Sequence, residues 1–496
     1  MSEPRAEERP PNILWICTDS QRWDMLGCYG NPWIQTPNAD RLAARGVRFE
    51  HAIAQNPLCM PSRGSFLTGR YPSTTGLRQN GQTCPPSLRP ITADFADAGY
   101  ACGLSGKFHL NAADRRFSLG PEWWSRPESE WTNGREPRIH DGYKEFHWDH
   151  AAHGDDPHSD YATWLAEHHP DATHEKPEYA DCRFVRHGRP EHQRQSRWCT
   201  DLAIDFMERQ AGGDRPWLFS INTFDPHYIF DPADEAMARL LPLLNQIDPP
   251  IPAPEAGTGP VPEAHRQARE RFADRTQHDA RMIRLAAWAM CETLDRELGR
   301  LLDALDRTGQ AEDTVVVFMS DHGEMLGDHG LYIKGPYLFE QALRVPLIVM
   351  DPRPSASGSR GSVHTGVVEL ASVAPTLNTL AGLPAMLGVQ AADLAPLLRG
   401  GAGSGDGASS ALFQYHNSNP DRPPRFQTGL RTNTHKLVVH HGEATGELYN
   451  LVEDPQERHN LWLDPAAAGI QHQLTHQLLD RMAFAADPLP ERIGAF

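Results

Sequence analysis

The chain has 496 residues, 39% of them hydrophobic and 23% charged, and its 65 acidic against 47 basic side chains leave a formal charge of −18. That length suits one large α/β domain with a smaller companion, and the composition is that of a globular protein rather than a disordered or membrane-embedded one. The acidic surplus argues against nucleic acid or an anionic membrane as partner, while a cleft lined by a few Arg and Lys residues is still compatible with a small anionic substrate.

The opening MSEPRAEERPPN is charged and Pro-rich, without the apolar run of a secretory leader. No later apolar run reaches the length of about 18 residues that a membrane span requires, so the sequence predicts a cytoplasmic protein. Its eight cysteines are scattered, with no CxxC pair, and read as free, mostly buried thiols rather than zinc ligands or a redox pair.

The first apolar run, Asn12 to Thr18, has the character of a buried parallel strand, and Asp19 stands at its end. Thr36-Pro37 starts a helix that Gly46 ends, and another helix is expected just after Cys59, near Pro61. Further along, the pattern predicts a helix around Ser196–Gln210, a strand Trp217–Thr223, a long helix Arg281–Arg307 and a strand Thr314–Ser320. A strand Val345–Met350 and a helix Glu369–Ala381 follow. Strands alternating with helices in this way imply βαβ units and a large, mixed but mostly parallel sheet covered by helices on both faces.

Two regions break the rhythm. Asn111 to Arg194 is polar and rich in Trp and His (Trp123, Trp124, Trp131, Trp148, Trp164) and reads as a surface insertion at about 111–195; its histidines lack paired ligand spacing. The Pro-rich stretch Asp248–Pro262 reads as a similar loop. Gly400–Ser410 has the composition of a flexible linker and places a boundary near residue 405, with a catalytic α/β domain over 1–405 and a C-terminal subdomain over 406–496. In the latter, short runs at Leu412–His416, Gln427–Arg431, Lys436–His440 and Glu447–Leu451 suggest a small antiparallel sheet, followed by a helix around Ile470–Ala486.

The chemistry concentrates in Cys59-Met60-Pro61-Ser62-Arg63-Gly64-Ser65-Phe66-Leu67-Thr68-Gly69-Arg70. A small nucleophilic side chain ahead of a helix-starting Pro places residue 59 where a helix N-terminus stabilises negative charge, and Arg63 lies one turn further on. The string resembles the C-x-P-S-R-x-x-x-L-T-G-R signature of the type I sulfatases in the alkaline phosphatase superfamily, a group that also contains phosphonate monoester hydrolases. The resemblance implies an alkaline-phosphatase-like fold. It also implies oxidation of Cys59 to formylglycine (3-oxoalanine) by a dedicated maturation enzyme, which supplies a nucleophilic aldehyde hydrate.

Further segments fit that resemblance. Asp19 and the pattern Gln21–Asn31 look like the family's amino-terminal motif, in which the Asp is a metal ligand. Ser20 takes the place of the second acidic or amide ligand found in many members, which leaves that position to water or a hydroxyl. Asp321 and His322, at the end of the strand Thr314–Ser320, are adjacent side chains that can converge on one cation and resemble the remaining ligands. The implied metal set is Asp19, Cys59, Asp321 and His322 around one divalent cation, calcium as in most sulfatases or manganese as in related phosphonate hydrolases. Gly106-Lys107-Phe108-His109 is similar to the family's GK-x-H motif, with Lys107 and His109 expected to project to one side of an extended segment. His227 in Phe224-Asp225-Pro226-His227 and Lys334 match further active-site positions, and Asn80 lies where phosphonate hydrolases carry a substrate-binding Asn.

The resemblance thus implies a sulfuric ester hydrolase in which Arg63, Lys107 and Lys334 neutralise the sulfuryl oxygens, His227 with Lys334 protonates the leaving group, and His109 takes a proton from residue 59. A phosphonate monoester hydrolase with the same aldehyde is the alternative, and a binding protein on a decayed sulfatase fold a more distant one. The expected partners are a small-molecule ester and the maturation enzyme, while the insertion and the C-terminal helix offer surfaces for homo-oligomer contacts. The segment Gly446–Leu451 with Asp454-Pro455, Glu457 and Asn460-Leu461 resembles the family's carboxyl-terminal E-L-Y-D-L motif and is expected to pack the small sheet onto the large domain.

Overall fold

The computed structural model describes residues 9–113, 135–150, 158–172, 177–254, 259–400, 410–417 and 425–486. The strands of the main sheet are β1 (Asn12–Thr18), β2 (Val47–Ile53), β3 (Ala101–Gly106), β4 (Glu145–Trp148), β5 (Trp217–Asn222), β6 (Thr314–Ser320), β7 (Leu347–Met350) and β8 (Ser362–Glu369). Across the sheet they run β8-β2-β7-β6-β1-β5-β3-β4, and a short piece at Arg344–Val345 also pairs with β2. Every pairing is parallel except those of β7 and of Arg344–Val345. The expected strand Val345–Met350 is therefore split at Pro346, which has no N–H to give to a ladder, and its main part runs against its neighbours.

β1 shows why this sheet is buried on both faces. Ile13, Trp15 and Cys17 enter one apolar cluster and Leu14 and Ile16 the opposite one, each nearly inaccessible. Helices cover both clusters: α1 (Pro37–Arg45), α2 (Cys59–Thr68), α3 (Gln195–Gln210), α4 (Gln277–Arg307) and α5 (Val373–Leu380). The start of α4 is set by a capping box, with the Thr276 side chain accepting from the Asp279 N–H and the Asp279 carboxylate accepting from the Thr276 N–H. Helix α2 begins at Cys59 itself, two residues earlier than Pro61 suggests. Pro is tolerated there because first-turn N–H groups have no intrahelical acceptor.

The insertion is more integrated than its polar sequence implies. β4 extends the main sheet in parallel with β3, a helix spans Asp160–His168, and Glu178–Tyr179 pairs with Cys182–Arg186. Trp148 is fully buried and Trp164 partly so, whereas Trp123, Trp124 and Trp131 lie outside the described residues. The Gly-rich stretch around the proposed boundary at 405 likewise lies outside them.

Beyond that stretch, β9 (Ser410–Asn417), β10 (Arg425–Thr432), β11 (His435–His441) and β12 (Gly446–Asn450) form an antiparallel sheet in simple order, covered by α6 (Ala468–Ala485). The Gln414 N–H donates to the Gln55 carbonyl at 2.8 Å and Asn56 Nδ2 to the Gln414 carbonyl at 2.6 Å, so this sheet grips the segment leading into α2. Glu457 of the carboxyl-terminal motif pairs with Lys436 and accepts from the Glu340 N–H at 2.7 Å, consistent with a packing role. All eight cysteines are free and all but Cys28 are buried. Among the described residues, no helix is long and apolar enough to cross a membrane.

Candidate active site

The carboxyl ends of β1 and β6, neighbours in the sheet, bring Asp19 and Asp321 together, as open α/β sheets place their ligands. Ser20 adopts a left-handed conformation (φ 67°), and its hydroxyl donates to Asp19 Oδ1 at 2.9 Å while its N–H donates to Asp321 Oδ1 at 3.2 Å. Ser20 thus acts on both carboxylates as a hydrogen-bond donor. The N-terminus of α2 delivers Cys59 to the same point, its entry held by the Leu58 N–H on Asn56 Oδ1 (2.8 Å) and the Met60 N–H on Asn80 Oδ1 (3.0 Å). Asn80 is exposed and reaches the site through the backbone beside residue 59.

Oxygen, sulfur and nitrogen atoms of Asp19, Cys59, Asp321 and His322 lie within 4.8 Å of one another, all four residues buried. His322 Nδ1 faces the Gly323 carbonyl at 2.8 Å, which accepts only, so Nδ1 carries a proton and Nε2, 3.2 Å from Cys59 Sγ, is the nitrogen turned to the donor set. The two carboxylates, the imidazole nitrogen and residue 59, converging on one buried point, are donors of the kind that hold a divalent cation.

Three fixed cations surround this donor set. Arg63, one turn along α2, places Nε 3.0 Å and Nη2 2.9 Å from Asp321 Oδ2, and Nη2 3.5 Å from Asp19 Oδ2. Lys107 Nζ is 2.6 Å from Asp19 Oδ2, and Lys334 Nζ is 2.8 Å from Cys59 Sγ and 3.6 Å from Asp19 Oδ1. All three side chains are almost completely inaccessible, so their charges act without water screening.

Titration follows from these neighbours. Burial and Cys59 push the Asp19 carboxyl up, but Lys107, Lys334 and His227 outweigh them and hold it well below the usual carboxylate range. Burial and Asp19 raise Asp321 instead. Burial would likewise raise Cys59, yet Lys107, Lys334 and His322 bring it well below an ordinary thiol. Burial works against the Lys334 ammonium, but Cys59 and Asp19 keep it protonated beyond the ordinary lysine range. His109 is pushed down to about 4 by burial and by Lys107, and His227 is lowered by burial and by Lys334, so both rings are neutral at neutral pH.

Lys107 and His109 do converge, though by a different route from simple alternation along a strand. Gly106 has φ 97°, and a Cβ there would fall 2.0 Å from the Asn222 carbonyl oxygen, so only glycine permits β3 to leave the sheet beside β5. His109 then takes φ 59° and turns its ring to the Cys59 thiol. His227 also reaches the thiol, its Nδ1 on the Tyr228 carbonyl and its ring stacked on Tyr228 at 4.2 Å.

All ten residues singled out from sequence therefore meet around Cys59. Two others do not stand out in the sequence. Glu136 underlies the 109–111 turn, and the His150 ring stands edge-on to His109 at 4.3 Å. Both belong to the insertion, where no periodicity or motif distinguishes them from many other polar residues.

The sulfatase family profile matches residues 11–383, and a profile described as N-sulphoglucosamine sulphohydrolase, C-terminal, matches residues 327–483. An N-acetylglucosamine-6-O-sulfatase of Bacteroides thetaiotaomicron is 26% identical, covering 97% of this chain and 87% of that protein. Human iduronate 2-sulfatase is 30% identical, covering 75% and 69%. A phosphonate monoester hydrolase of Agrobacterium radiobacter shares the fold, with a TM-score of 0.77 at 24% identity over 97% of both chains. With the strand-end carboxylates and the Cys59–Arg70 string in one site, these likenesses establish that the chain belongs to the sulfatase family of the alkaline phosphatase superfamily and is a sulfuric ester hydrolase.

Proposed function

We propose that the enzyme cleaves sulfate monoesters with formylglycine at position 59 and one divalent cation of the calcium or manganese type held by Asp19, Asp321, His322 and residue 59. The observation that carries this reading is the ring of Arg63, Lys107 and Lys334 about Cys59, more positive charge than two carboxylates neutralise. The cation and the aldehyde hydrate supply, respectively, charge at the ester oxygens and an oxygen nucleophile, for which Cys59 Sγ stands in. Arg63 Nη2, Lys107 Nζ and Lys334 Nζ bind and neutralise the sulfuryl oxygens at this buried site, where fixed charges are most effective.

Lys334 Nζ is charged in the resting site and stands 2.8 Å from Cys59 Sγ, where it can hydrogen-bond the departing oxygen and give up a proton as that oxygen's basicity rises on bond cleavage. His227 spends its one ring proton on the Tyr228 carbonyl, which leaves Nε2 bare, so in the resting site it orients rather than donates. Neutral His109 is placed to accept the proton released at residue 59. Asn80 steadies the helix start by accepting the N–H of Met60, the residue after the nucleophile.

A second reading, hydrolysis of phosphonate monoesters by the same groups, is favoured by His322 in the donor set and by Asn80 beside the nucleophile. The maturation enzyme that oxidises Cys59 is the implied protein partner. Co-expression with such an enzyme should yield a Phe49–Arg63 peptide with the aldehyde mass and turnover of an aryl sulfate. Protein retaining the thiol should show neither, and equal turnover by both would overturn the reading.

A further inference from the structure

The 109–111 turn is held from beneath by one carboxylate. Glu136 accepts the N–H of His109 on Oε2 at 2.8 Å and those of Leu110 and Asn111 on Oε1 at 2.5 and 2.7 Å, while Trp148 Nε1 lies 3.3 Å from Oε2. Glu136 is 5% exposed, so these donors replace water almost entirely. A non-glycine residue at φ 59°, as His109 is, costs free energy and persists only where its surroundings over-determine it. Three consecutive N–H groups aimed at one carboxylate do so here, as a backbone nest does for an anion.

The same turn reaches the other loop beside the nucleophile. Asn111 Oδ1 accepts the Cys84 N–H at 2.7 Å and the Gln82 carbonyl accepts the Ala112 N–H at 3.1 Å, two residues from Asn80. The support is itself anchored. Asp160 accepts the Trp148 N–H at 2.7 Å and holds Arg135 through both oxygens at 2.6 and 3.0 Å. His150 closes the rear of His109, ring edge to ring face.

We infer that Glu136 is a positioning residue for catalysis: it fixes the ring of His109 against residue 59, and through it the insertion controls the active site. This rests on the reading of His109 as a working group of that site. A carboxylate is required because its two oxygens accept all four hydrogen bonds. An amide in its place has one acceptor oxygen and turns an NH2 toward N–H donors.

The test is a double-mutant cycle on the converted, metal-loaded enzyme with Glu136→Gln, His109→Ala and the pair, run on an aryl sulfate and an aryl phosphonate monoester. Glu136→Gln should lower kcat about 10- to 100-fold with little change in KM, and by less than about twofold when His109 is already Ala. An equal loss in both backgrounds, or no loss in the first, would overturn the inference and leave Glu136 a structural group. Should Glu136→Gln not fold, Trp148→Phe removes only the indole donor and should show a smaller loss with the same dependence on His109.

A readout without turnover separates this inference from the reading it rests on. In 15N-histidine-labelled protein, the ring signal that vanishes in His109→Ala should shift in Glu136→Gln or Trp148→Phe. An unmoved signal contradicts the positioning role whatever ester the enzyme cleaves.

Discussion

The two walls of this active site are built by different kinds of sequence. The first wall, Asp19, Cys59, Arg63, Asp321 and His322, comes from the ends of two adjacent strands and the first turn of one helix, where a few consecutive residues determine everything. The second, Lys107 and His109, comes from a strand that leaves the sheet at Gly106 and depends on Glu136, Trp148 and His150 from the insertion. The first wall concentrates its chemistry in local geometry; the second obtains its geometry from residues far along the chain. Evolution of a new substrate preference can therefore act on the second wall while the nucleophile and ligands stay in place.

Breaking the first wall should have the largest effects. Cys59→Ser should abolish sustained turnover, leaving at most one event and a serine ester detectable by mass; continued turnover would contradict the assigned chemistry. Asp19→Asn comes next, because it removes the buried carboxylate 2.6 Å from the Lys107 ammonium and 3.6 Å from that of Lys334. Loss of one partner from a buried pair costs about 3–5 kcal/mol, which should appear as a lower denaturation midpoint in metal-free protein.

The second wall should alter selectivity before it alters stability. Lys107→Met should lower kcat/KM for an aryl sulfate at least about tenfold more than for an aryl phosphonate, since removing a charge-assisted contact is worth about 1.5–3 kcal/mol. A sulfate monoester has three terminal oxygens where a phosphonate monoester has two and a carbon, so an unchanged ratio would show that Lys107 does not contact the oxygen that the phosphonate lacks.

The smallest effect is one of pH. Burial raises the Glu136 carboxyl from 4.5 to about 7, against the pull of the Asn111, His109 and Leu110 N–H groups. Between those values the folded chain binds more protons than the unfolded one, so this group's contribution to stability falls as pH rises from 4.5 to 7. The unfolding free energy of the wild type relative to Glu136→Gln should accordingly decline over that window, measured by denaturant titration at each pH. A flat difference would mean that the carboxyl titrates at its ordinary value.

What the sequence disclosed follows the same division. β1, β6 and the four C-terminal strands could be placed because their apolar periodicity is local, and the Cys59 string named its own role. The split at Pro346 and the start of α2 at Cys59 differ from expectation for reasons of hydrogen bonding within a few residues. Glu136 was illegible because its function exists only once β4 has joined β3 and folded a polar stretch beneath residues some 25 positions earlier. The proton inventory was illegible too: that Lys334 is charged while His227 and His109 are neutral depends on burial and on which carbonyl each ring faces.

The central claim is that this ring of cations is built for a sulfuryl group. Its most direct test is kcat/KM for an aryl sulfate and an aryl phosphonate monoester with the same leaving group, on protein whose Phe49–Arg63 peptide carries the aldehyde. A higher value for the sulfate is the predicted result. A higher value for the phosphonate would contradict it and assign the decisive weight to His322 and Asn80.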